Sequence, residues 1–287
     1  MTQSISIACL LIAVFFLTHI TAAAMTADIE YARVGDTKLL LDAHVPDGDG
    51  PFPVAIFVHG GGWGSGDKHA DTDAPAFTAL AKANLVVFSI NYRLAPANKW
   101  PACFDDVKAA VRWAKAHAAG YKGDPGRIAL VGYSAGGQLA LLAALTADEA
   151  TRVQAVAALA PPTDFELDLA QRGGVSKGLR DLLGRDTPDV TDDALRQLRD
   201  IGPVHHIHAG QPPVLILHGT ADKSVPFPGT LAFQKAYTAA GNTCEVVPLN
   251  NAPHRLTEWS KFSPDFGQTL AKWVNQQLKS PTTQKGT

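Results

Sequence analysis

Cysteine is scarce in this chain of 287 residues, which contains Cys9, Cys103 and Cys244. Cys9 lies in an N-terminal apolar run that we expect to be removed. Cys103 and Cys244 would pair in an oxidising compartment if the fold brought their Cα atoms within bridging distance, which a sequence cannot establish. We therefore expect two buried free thiols, and cysteine usage does not identify the compartment.

An excess of charge of either sign is also missing. Lys and Arg together number 25 against 27 for Asp and Glu, which gives a formal net charge of −2. There is thus no electrostatic reason to expect nucleic acid or an anionic membrane as a partner. The sequence has no internal repeat or low-complexity tract. Its 46% of hydrophobic residues provide ample material for a core, and a chain of this length could form one large domain or two small ones.

Basic residues are absent before the apolar run at residues 5–20, where a secretory signal peptide usually has them. The run is too short for a comfortable membrane span, and small residues follow it up to Ala24. We predict that residues 1–24 are a signal peptide and that the mature chain is periplasmic or secreted. Translation from Met25 is the alternative, and it would leave the protein in the cytoplasm. Residues 280–287 are predicted to be a disordered tail.

From about residue 28 onwards, short apolar runs alternate with helical patterns. Residues 29–34 and 39–44 alternate in polarity around Gly35 and Asp36, which predicts a β-hairpin. Runs typical of strands buried on both faces lie at 53–58, 85–90, 127–131, 153–159, 214–217 and, more weakly, 244–249. Helical patterns lie at 104–117, 135–146, 231–240 and 266–278.

This alternation predicts an α/β fold with a mostly parallel central sheet, an antiparallel N-terminal edge hairpin and helices on both faces. We expect one catalytic domain at residues 25–279. Residues 163–201 are charged, contain glycine and are only weakly periodic. We expect them to be an insertion that forms a small lid over the strand ends.

A serine lies at one predicted junction between a strand and a helix. The sequence Gly132-Tyr133-Ser134-Ala135-Gly136 follows the apolar run 127–131 and precedes the helical pattern. A sharp turn there would push the Ser134 Oγ clear of the sheet, and glycines on either side would avoid collisions with neighbouring backbone. Ser134 is therefore the candidate nucleophile.

A glycine-rich loop, His59-Gly60-Gly61-Gly62-Trp63, follows the apolar run 53–58. No Lys-Ser or Lys-Thr follows to make a P-loop, and no G-x-G-x-x-G is present. We expect the N–H groups of Gly61, Gly62 and Ala135 to form an oxyanion hole, in which each donor contributes about 10²–10³ in rate. His59 is expected to orient the loop.

A serine nucleophile needs a base and an orienting carboxylate. Asp222 follows the run 214–217 and His254 follows 244–249, in the order Ser, Asp, His that α/β-hydrolases use. Asp164 is the alternative acid. A second set of histidines, His205, His206 and His208, lacks a matching carboxylate motif, so we expect no metal site.

Aromatic side chains near the predicted loop ends are candidates for a substrate pocket, although such residues more often pack in a core. We assign Trp63 and Tyr133 to the pocket, and Trp100 and Trp259 are weaker candidates of the same kind. The segment Asn91-Tyr92-Arg93-Leu94-Ala95-Pro96 ends the run 85–90 and has no evident chemistry. We interpret it as an anchor between a strand and a loop.

Taken together, HGGGW, NYRLAP, GYSAGG, LHGTAD and NAPH resemble bacterial esterase and lipase proteins of the α/β-hydrolase superfamily. The likeness is strongest to small carboxylesterases near the hormone-sensitive-lipase and feruloyl/acetyl-xylan-esterase-like groups, and it extends from about residue 38 to 278. The resemblance implies an α/β-hydrolase fold and a triad of Ser134, Asp222 and His254. Too few residues precede the first core strand for the helical N-terminal cap of many hormone-sensitive-lipase relatives.

The expected activity is hydrolysis of small-molecule carboxylic esters, with short acyl chains or small aryl groups, and without a metal or organic cofactor. HGGGW also fits the H-G-G-x-W pattern of kynurenine formamidases, so an arylformamidase is one alternative. An amidase or peptidase on the same fold is another. The modest insertion favours soluble short-chain substrates over triacylglycerols.

Overall fold

The computed structural model describes residues 24–279. The predicted disordered tail at 280–287 lies outside the described residues, as do Cys9 and the predicted signal peptide except for Ala24. Ala24 is the first residue of the first strand. Over the described range, no helix is long and apolar enough to cross a membrane.

Within residues 24–279, eight strands form one sheet in the order β1-β2-β4-β3-β5-β6-β7-β8. Their bounds are β1 Ala24–Val34, β2 Thr37–Val45, β3 Phe52–Val58, β4 Val86–Ile90, β5 Gly123–Tyr133, β6 Ala155–Leu159, β7 Val214–Gly219 and β8 Cys244–Leu249. β2 pairs antiparallel with both β1 and β4, and all other neighbours in the sheet are parallel. This is the α/β-hydrolase arrangement, so the predicted fold class is confirmed.

Helices cover both faces of the sheet. Among the described residues they are α1 Pro75–Ala81, α2 Ala102–His117, α3 Ala135–Leu145, α4 Phe165–Arg172, α5 Lys177–Leu183, α6 Asp192–Ile201, α7 Phe227–Ala239 and α8 Phe266–Gln277. Single 3₁₀ turns occur at Ala118–Tyr121, Pro203–His206 and Leu256–Lys261. The short helix α1 was not predicted, because seven residues are too few to show a clear helical period.

Two hydrophobic cores lie on opposite faces of the sheet. Alternate residues of β3 separate cleanly between them: Val54 and Ile56 belong to the core that contains α2 and α3, whereas Ala55 and Phe57 belong to the one that contains α1 and α8. This follows from the two-residue period of a strand. Both sets of side chains are fully buried, which explains why this strand reads as a continuous apolar run.

The predicted insertion at residues 163–201 contains α4, α5 and α6. Each helix begins with a polar side chain that caps its N-terminus: Asp164 for α4, Ser176 for α5 and Thr191 for α6. Such caps satisfy N–H groups that have no partner inside the helix. The segment is therefore more regular than its weak periodicity indicated. Its action as a lid stays a prediction.

Several element bounds differ from the sequence-based expectation by a few residues. The largest difference is at β1, which begins at Ala24 rather than at 29, and α7 begins at Phe227 rather than at 231. Proline is compatible with the first turn of a helix, and Pro228 lies there. The two described cysteines, Cys103 and Cys244, are buried and free, as expected.

Candidate active site

Ser134 lies at the junction of β5 and α3. Its backbone is in an unusual conformation, with φ 52° and ψ −120°, which costs free energy for a residue with a side chain. The N–H of Ser134 donates to the carbonyl of Leu159 at 2.8 Å, so the neighbouring strand β6 holds the turn. A Cβ on Gly132 would collide with the carbonyl of Gly136. Glycine at position 132 is therefore required by backbone packing.

Three side chains from three different strand ends meet at this turn. His254 Nε2 is 2.9 Å from Ser134 Oγ, and His254 Nδ1 is 2.6 Å from Asp222 Oδ2. Ser134 and His254 are 120 residues apart in sequence. The structure thus brings together the predicted nucleophile, base and acid in one hydrogen-bonded chain.

The carboxylate of Asp222 accepts four hydrogen bonds. The N–H groups of Ser224 and Val225 donate to Oδ1 at 2.8 Å each, and the imidazoles of His218 and His254 contact Oδ2. Burial alone would raise the pKa of Asp222. The hydrogen bonds from His218, His254 and the backbone outweigh burial and hold the pKa well below its usual range. Asp222 is consequently an anion over the whole physiological pH range.

This charge fixes the tautomer of His254. An ionised carboxylate only accepts hydrogen bonds, so Nδ1 of His254 carries the proton and Nε2 presents a lone pair to Ser134 Oγ–H. The imidazole can then take the Ser134 proton while Asp222 stabilises the imidazolium that forms. This is the geometry of a general base acting on an oxygen nucleophile.

The glycine-rich loop turns back over Ser134. Gly61, Gly62 and Trp63 have φ values of 120°, 57° and 61°, and a Cβ on Gly61 would collide with the carbonyl of Ser65. The carbonyl of Gly61 accepts the N–H groups of Gly64 and Ser65, so it points away from the site. Gly61 and Gly62 line the same cavity as Ser134.

Ala135 completes the predicted set of oxyanion donors. It is the first residue of α3, and the first N–H groups of a helix have no partner within the helix. Ala135 lines the cavity together with Ser134. The structure therefore places Gly61, Gly62 and Ala135 around one space beside the nucleophile.

Two buried contacts hold the glycine-rich loop. His59 is fully buried and stacks on Tyr92 at 4.2 Å between ring centres, and the Tyr92 hydroxyl donates to the His59 carbonyl at 3.1 Å. The Trp63 indole N–H donates to Gln138 Oε1 at 2.9 Å, while Gln138 Nε2 donates to the Ile201 carbonyl at 2.7 Å. Sequence reasoning expected His59 to orient the loop and the NYRLAP segment to act as an anchor, but it did not connect Tyr92 with His59 or Gln138 with Trp63.

Two aromatic donors hold the segment that carries His254. The Tyr133 hydroxyl donates to the carbonyl of His254 at 2.9 Å, and the Trp259 indole N–H donates to the carbonyl of Pro253 at 2.7 Å. Trp259 is fully buried, so it does not line the pocket. Trp100 stacks on Phe104 and is likewise absent from the lining. Both side chains therefore pack, which is the role that the sequence favoured for them over pocket lining.

A cavity of about 400 Å³ opens in front of Ser134. Both predicted pocket residues, Trp63 and Tyr133, line it, and the insertion contributes residues from α4 and α5. The lining contains no Lys, Arg, Asp or Glu side chain. The lining is Gly61, Gly62, Trp63, Tyr133, Ser134, Ala135, Pro162, Phe165, Ser176, Gly178, Leu179, Ser224, Val225 and His254.

Asp164 and the three clustered histidines lie outside the hydrogen-bonded chain. Asp164 accepts the N–H groups of Glu166 and Leu167 as the cap of α4. His205, His206 and His208 contact Glu166, the Asp200 carbonyl and the Ala209 carbonyl, respectively. Over residues 24–279, no group of three or more His, Cys, Asp or Glu side chains could hold a metal ion.

Comparisons with known proteins agree with this geometry. A family model described as BD-FAE matches residues 41–237. The chain is 35% identical to the probable carboxylic ester hydrolase LipM of Mycobacterium tuberculosis, over 71% of this chain and 49% of LipM. It is 33% identical to the carboxylesterase NlhH of the same species, over 74% of this chain and 68% of NlhH. The chain thus spans about half the length of LipM and two thirds of NlhH.

Solved structures share the fold. A thermophilic esterase from Thermogutta terrifontis, Est2, superposes with a TM-score of 0.70 and 28% identity, over 91% of this chain and 95% of Est2. A truncated carbohydrate esterase from gut microbiota superposes with a TM-score of 0.79 over 92% of this chain and 99% of that chain. At 23% identity, the second likeness shows the fold alone.

Proposed function

The chain belongs to the BD-FAE family, and on that premise we propose that it is a carboxylesterase with Ser134 as its nucleophile. One observation carries the proposal: the continuous chain from Ser134 Oγ through His254 to Asp222, with heavy-atom distances of 2.9 and 2.6 Å, opens on the cavity. The esterase relatives support the same reaction class.

The reaction proceeds in two halves. Ser134 Oγ attacks the carbonyl carbon of the ester and its proton passes to Nε2 of His254. The carbonyl oxygen becomes an anion that the N–H groups of Gly61, Gly62 and Ala135 stabilise. The carbon–oxygen bond to the alcohol then breaks, and His254 returns the proton to the leaving alcohol. An acyl group remains on Ser134.

Water completes the cycle. It attacks the acyl carbon while His254 takes one of its protons, and the second tetrahedral intermediate forms in the same oxyanion site. The bond to Ser134 Oγ breaks, the proton returns from His254 to that oxygen, and the acid leaves. Asp222 stays ionised throughout and stabilises the imidazolium in both halves.

The lining of the cavity favours small, neutral esters. It holds no Lys, Arg, Asp or Glu, so a charged acyl or alcohol group would lose its hydration without gaining an ionic partner. Trp63 and Phe165 lie 5.9 Å apart between ring centres, with their planes tilted by 55°, and form an apolar wall. Structures of Thermogutta terrifontis Est2 with butyrate and with propionate bound support a short acyl group.

The test is hydrolysis of a p-nitrophenyl ester series from acetate to palmitate by wild type and by Ser134→Ala. We expect wild-type activity on the short esters and its loss, by about 10³-fold or more, in the variant. Ser263→Ala is the matched control. The Ser263 hydroxyl donates to Asp265, and Ser263 does not line the cavity. Full activity in Ser134→Ala would refute the assignment of the nucleophile.

Aryl formamides and amides are assayed in parallel. An enzyme that hydrolyses these while leaving matched esters intact would refute the ester proposal and favour the formamidase or amidase alternatives. The comparison of ester and amide with the same acyl group isolates the leaving group, since an amine must be protonated before it departs.

For localisation, we propose export with cleavage after Ala24. The support is the residue pattern alone, an apolar run at 5–20 followed by small residues. Cleavage there would keep the pairing of β1 with β2 from Met25 and His44 onwards. N-terminal sequencing of the protein from its native host tests this, and a mature chain that retains Met1 would refute it.

A further inference from the structure

His218 has no role in the proposed mechanism, although it lies in the same motif as Asp222. It lies near the end of β7, four residues before the acid, and its side chain has no exposed surface. A fully buried imidazole must find partners for both ring nitrogens or lose hydrogen-bonding free energy. Its partners are the carboxylate of Asp222, the carbonyl of Val225 and the hydroxyl of Thr230.

The contacts of His218 fix the position of its proton. Nε2 is 2.9 Å from the carbonyl of Val225 and 3.2 Å from Oδ2 of Asp222. Both oxygens only accept, so Nε2 carries a hydrogen that the two oxygens share. On the other side of the ring, Nδ1 is 2.7 Å from the hydroxyl of Thr230, which is in the first turn of α7 and is itself buried.

Oδ2 of Asp222 therefore receives hydrogen bonds from two imidazoles. His254 contacts it at 2.6 Å and His218 at 3.2 Å. A hydrogen bond to a carboxylate is stronger than one between neutral groups, and it draws on the same negative charge. The donor on His218 must then weaken the pull of Asp222 on the proton of His254.

The structure assigns to His218 the role of a positioning residue: it orients Asp222 Oδ2 towards His254 and shares the hydrogen-bonding capacity of this oxygen with the His254 imidazole. The kinetic part of this inference rests on the proposed esterase function. The orientation of Asp222 and the NMR titration of His254 do not depend on that function.

Other charged and titratable groups also act on His254. Asp222 faces it from the segment after β7, Asp71 acts from the segment between β3 and α1, and Tyr133 stacks on it from the end of β5. Arg255 is its neighbour in the chain. Because all four remain in every variant below, a change in the titration of His254 reports on His218.

Three variants separate the donor from the volume that it fills. His218→Leu removes the donor and keeps an apolar side chain in the buried space. His218→Gln keeps an N–H donor at about the distance of Nε2. Thr230→Val keeps the imidazole but removes the hydroxyl that orients it. His206→Gln is the control, because His206 is half-buried and contacts the Asp200 carbonyl rather than Asp222.

The first readout is the NMR titration of the ¹⁵N-labelled histidine rings in the full chain. In His218→Leu we expect the midpoint of the His254 titration to move upward by roughly half a pH unit or more. His218→Gln and His206→Gln should keep the wild-type midpoint. An unchanged midpoint in a folded His218→Leu protein would overturn the inference, and so would an equal shift in His218→Gln.

The second readout is the pH profile of kcat/KM with p-nitrophenyl acetate. The acid limb should move with the NMR midpoint, and kcat should fall roughly 10–100-fold in His218→Leu because the base is less well oriented. If His218→Leu does not fold, Thr230→Val decides: an upward shift supports the inference and an unchanged midpoint refutes it. A wild type without esterase activity would refute the proposed function, while the NMR titration would still decide the role of His218.

Discussion

The hydrogen bond between Trp63 and Gln138 gives the sharpest test of how the glycine-rich loop is held. Gln138 is fully buried on α3, and its amide joins the Trp63 indole at 2.9 Å to the Ile201 carbonyl at 2.7 Å. Trp63 needs such an anchor because its φ of 61° is unfavourable for a large side chain. We expect the losses of stability from removing the two partners of this bond to be less than additive.

The magnitude follows from the unsatisfied atoms that each variant leaves. Gln138→Met leaves the Trp63 N–H and the Ile201 carbonyl without partners, at about 1–3 kcal/mol each. Trp63→Phe leaves Gln138 Oε1 unsatisfied, at about 1–3 kcal/mol plus the packing of the larger ring. The double variant leaves only the Ile201 carbonyl unsatisfied among these atoms. Its loss should therefore be smaller than the sum of the single losses by about 2–6 kcal/mol, the contribution of the Trp63 N–H and Gln138 Oε1.

Urea unfolding followed by far-UV circular dichroism measures these free energies without depending on tryptophan fluorescence. The control pairs Trp63→Phe with Gln234→Met, because Gln234 lies in α7 and donates to the Cys244 carbonyl. The stability losses in this control cycle should be additive within about 0.5 kcal/mol. Additivity of the Trp63 and Gln138 variants would refute the reasoning. Both single variants should also lose kcat on p-nitrophenyl acetate.

Three further outcomes are expected. Burial raises the pKa of both Cys103 and Cys244 to about 12, so iodoacetamide should label neither thiol in the native protein and both in urea, as peptide mass spectrometry would show; native labelling would contradict their burial. Gly132→Ala should lower the melting temperature strongly, because its Cβ meets backbone, whereas Gly120→Ala, which has open space, should not. Because the pKa of Asp222 is lowered on folding, its stabilising effect is complete above about pH 4 and fades as the pH falls below that value. The melting-temperature deficit of Asp222→Asn should therefore shrink towards low pH, and a constant deficit would be inconsistent with this.

Much of the fold and the main site residues were accessible from sequence because their signals are local. A strand buried on both faces reads as an apolar run, and Gly132 and Gly136 flank Ser134 within five residues. The α/β-hydrolase fold was confirmed. The predicted triad lies in one hydrogen-bonded chain in the structure.

The supporting residues could not be predicted, because their partners are distant in sequence. Gln138 and Trp63 are 75 residues apart, and Tyr133 and His254 are 121 apart. Gln138 belongs to no pattern that distinguishes it from an ordinary core residue. Tyr92 lies in the NYRLAP segment, but that pattern does not show that its hydroxyl reaches the His59 carbonyl. The helices of the insertion were missed for a different reason, since α4 and α5 have only eight and seven residues and too few turns for a visible period.

Each part of the site is held by a buried polar contact as well as by apolar packing. Gln138 fixes the indole of Trp63, Tyr133 fixes the carbonyl of His254, and His218 fixes the carboxylate of Asp222. Apolar contacts are non-directional, so packing alone would fill the space without setting the direction in which these groups point. A hydrogen bond weakens steeply when its angle changes, and it therefore sets that direction.

This division of roles predicts how the molecule responds to substitution. Substitution of a core residue on either face of the sheet should lower the free energy of unfolding. It should leave kcat, counted per active enzyme, unchanged. Substitution of a polar support should reduce kcat per folded molecule even where the loss of stability is modest. The reason is that the orientation of the reacting groups changes before the fold is lost. Active-site titration beside unfolding free energy separates the two effects. If Tyr133→Phe and Gln138→Met lost stability but retained full kcat per folded molecule, the hydrogen bonds would stabilise the fold without positioning the reacting groups.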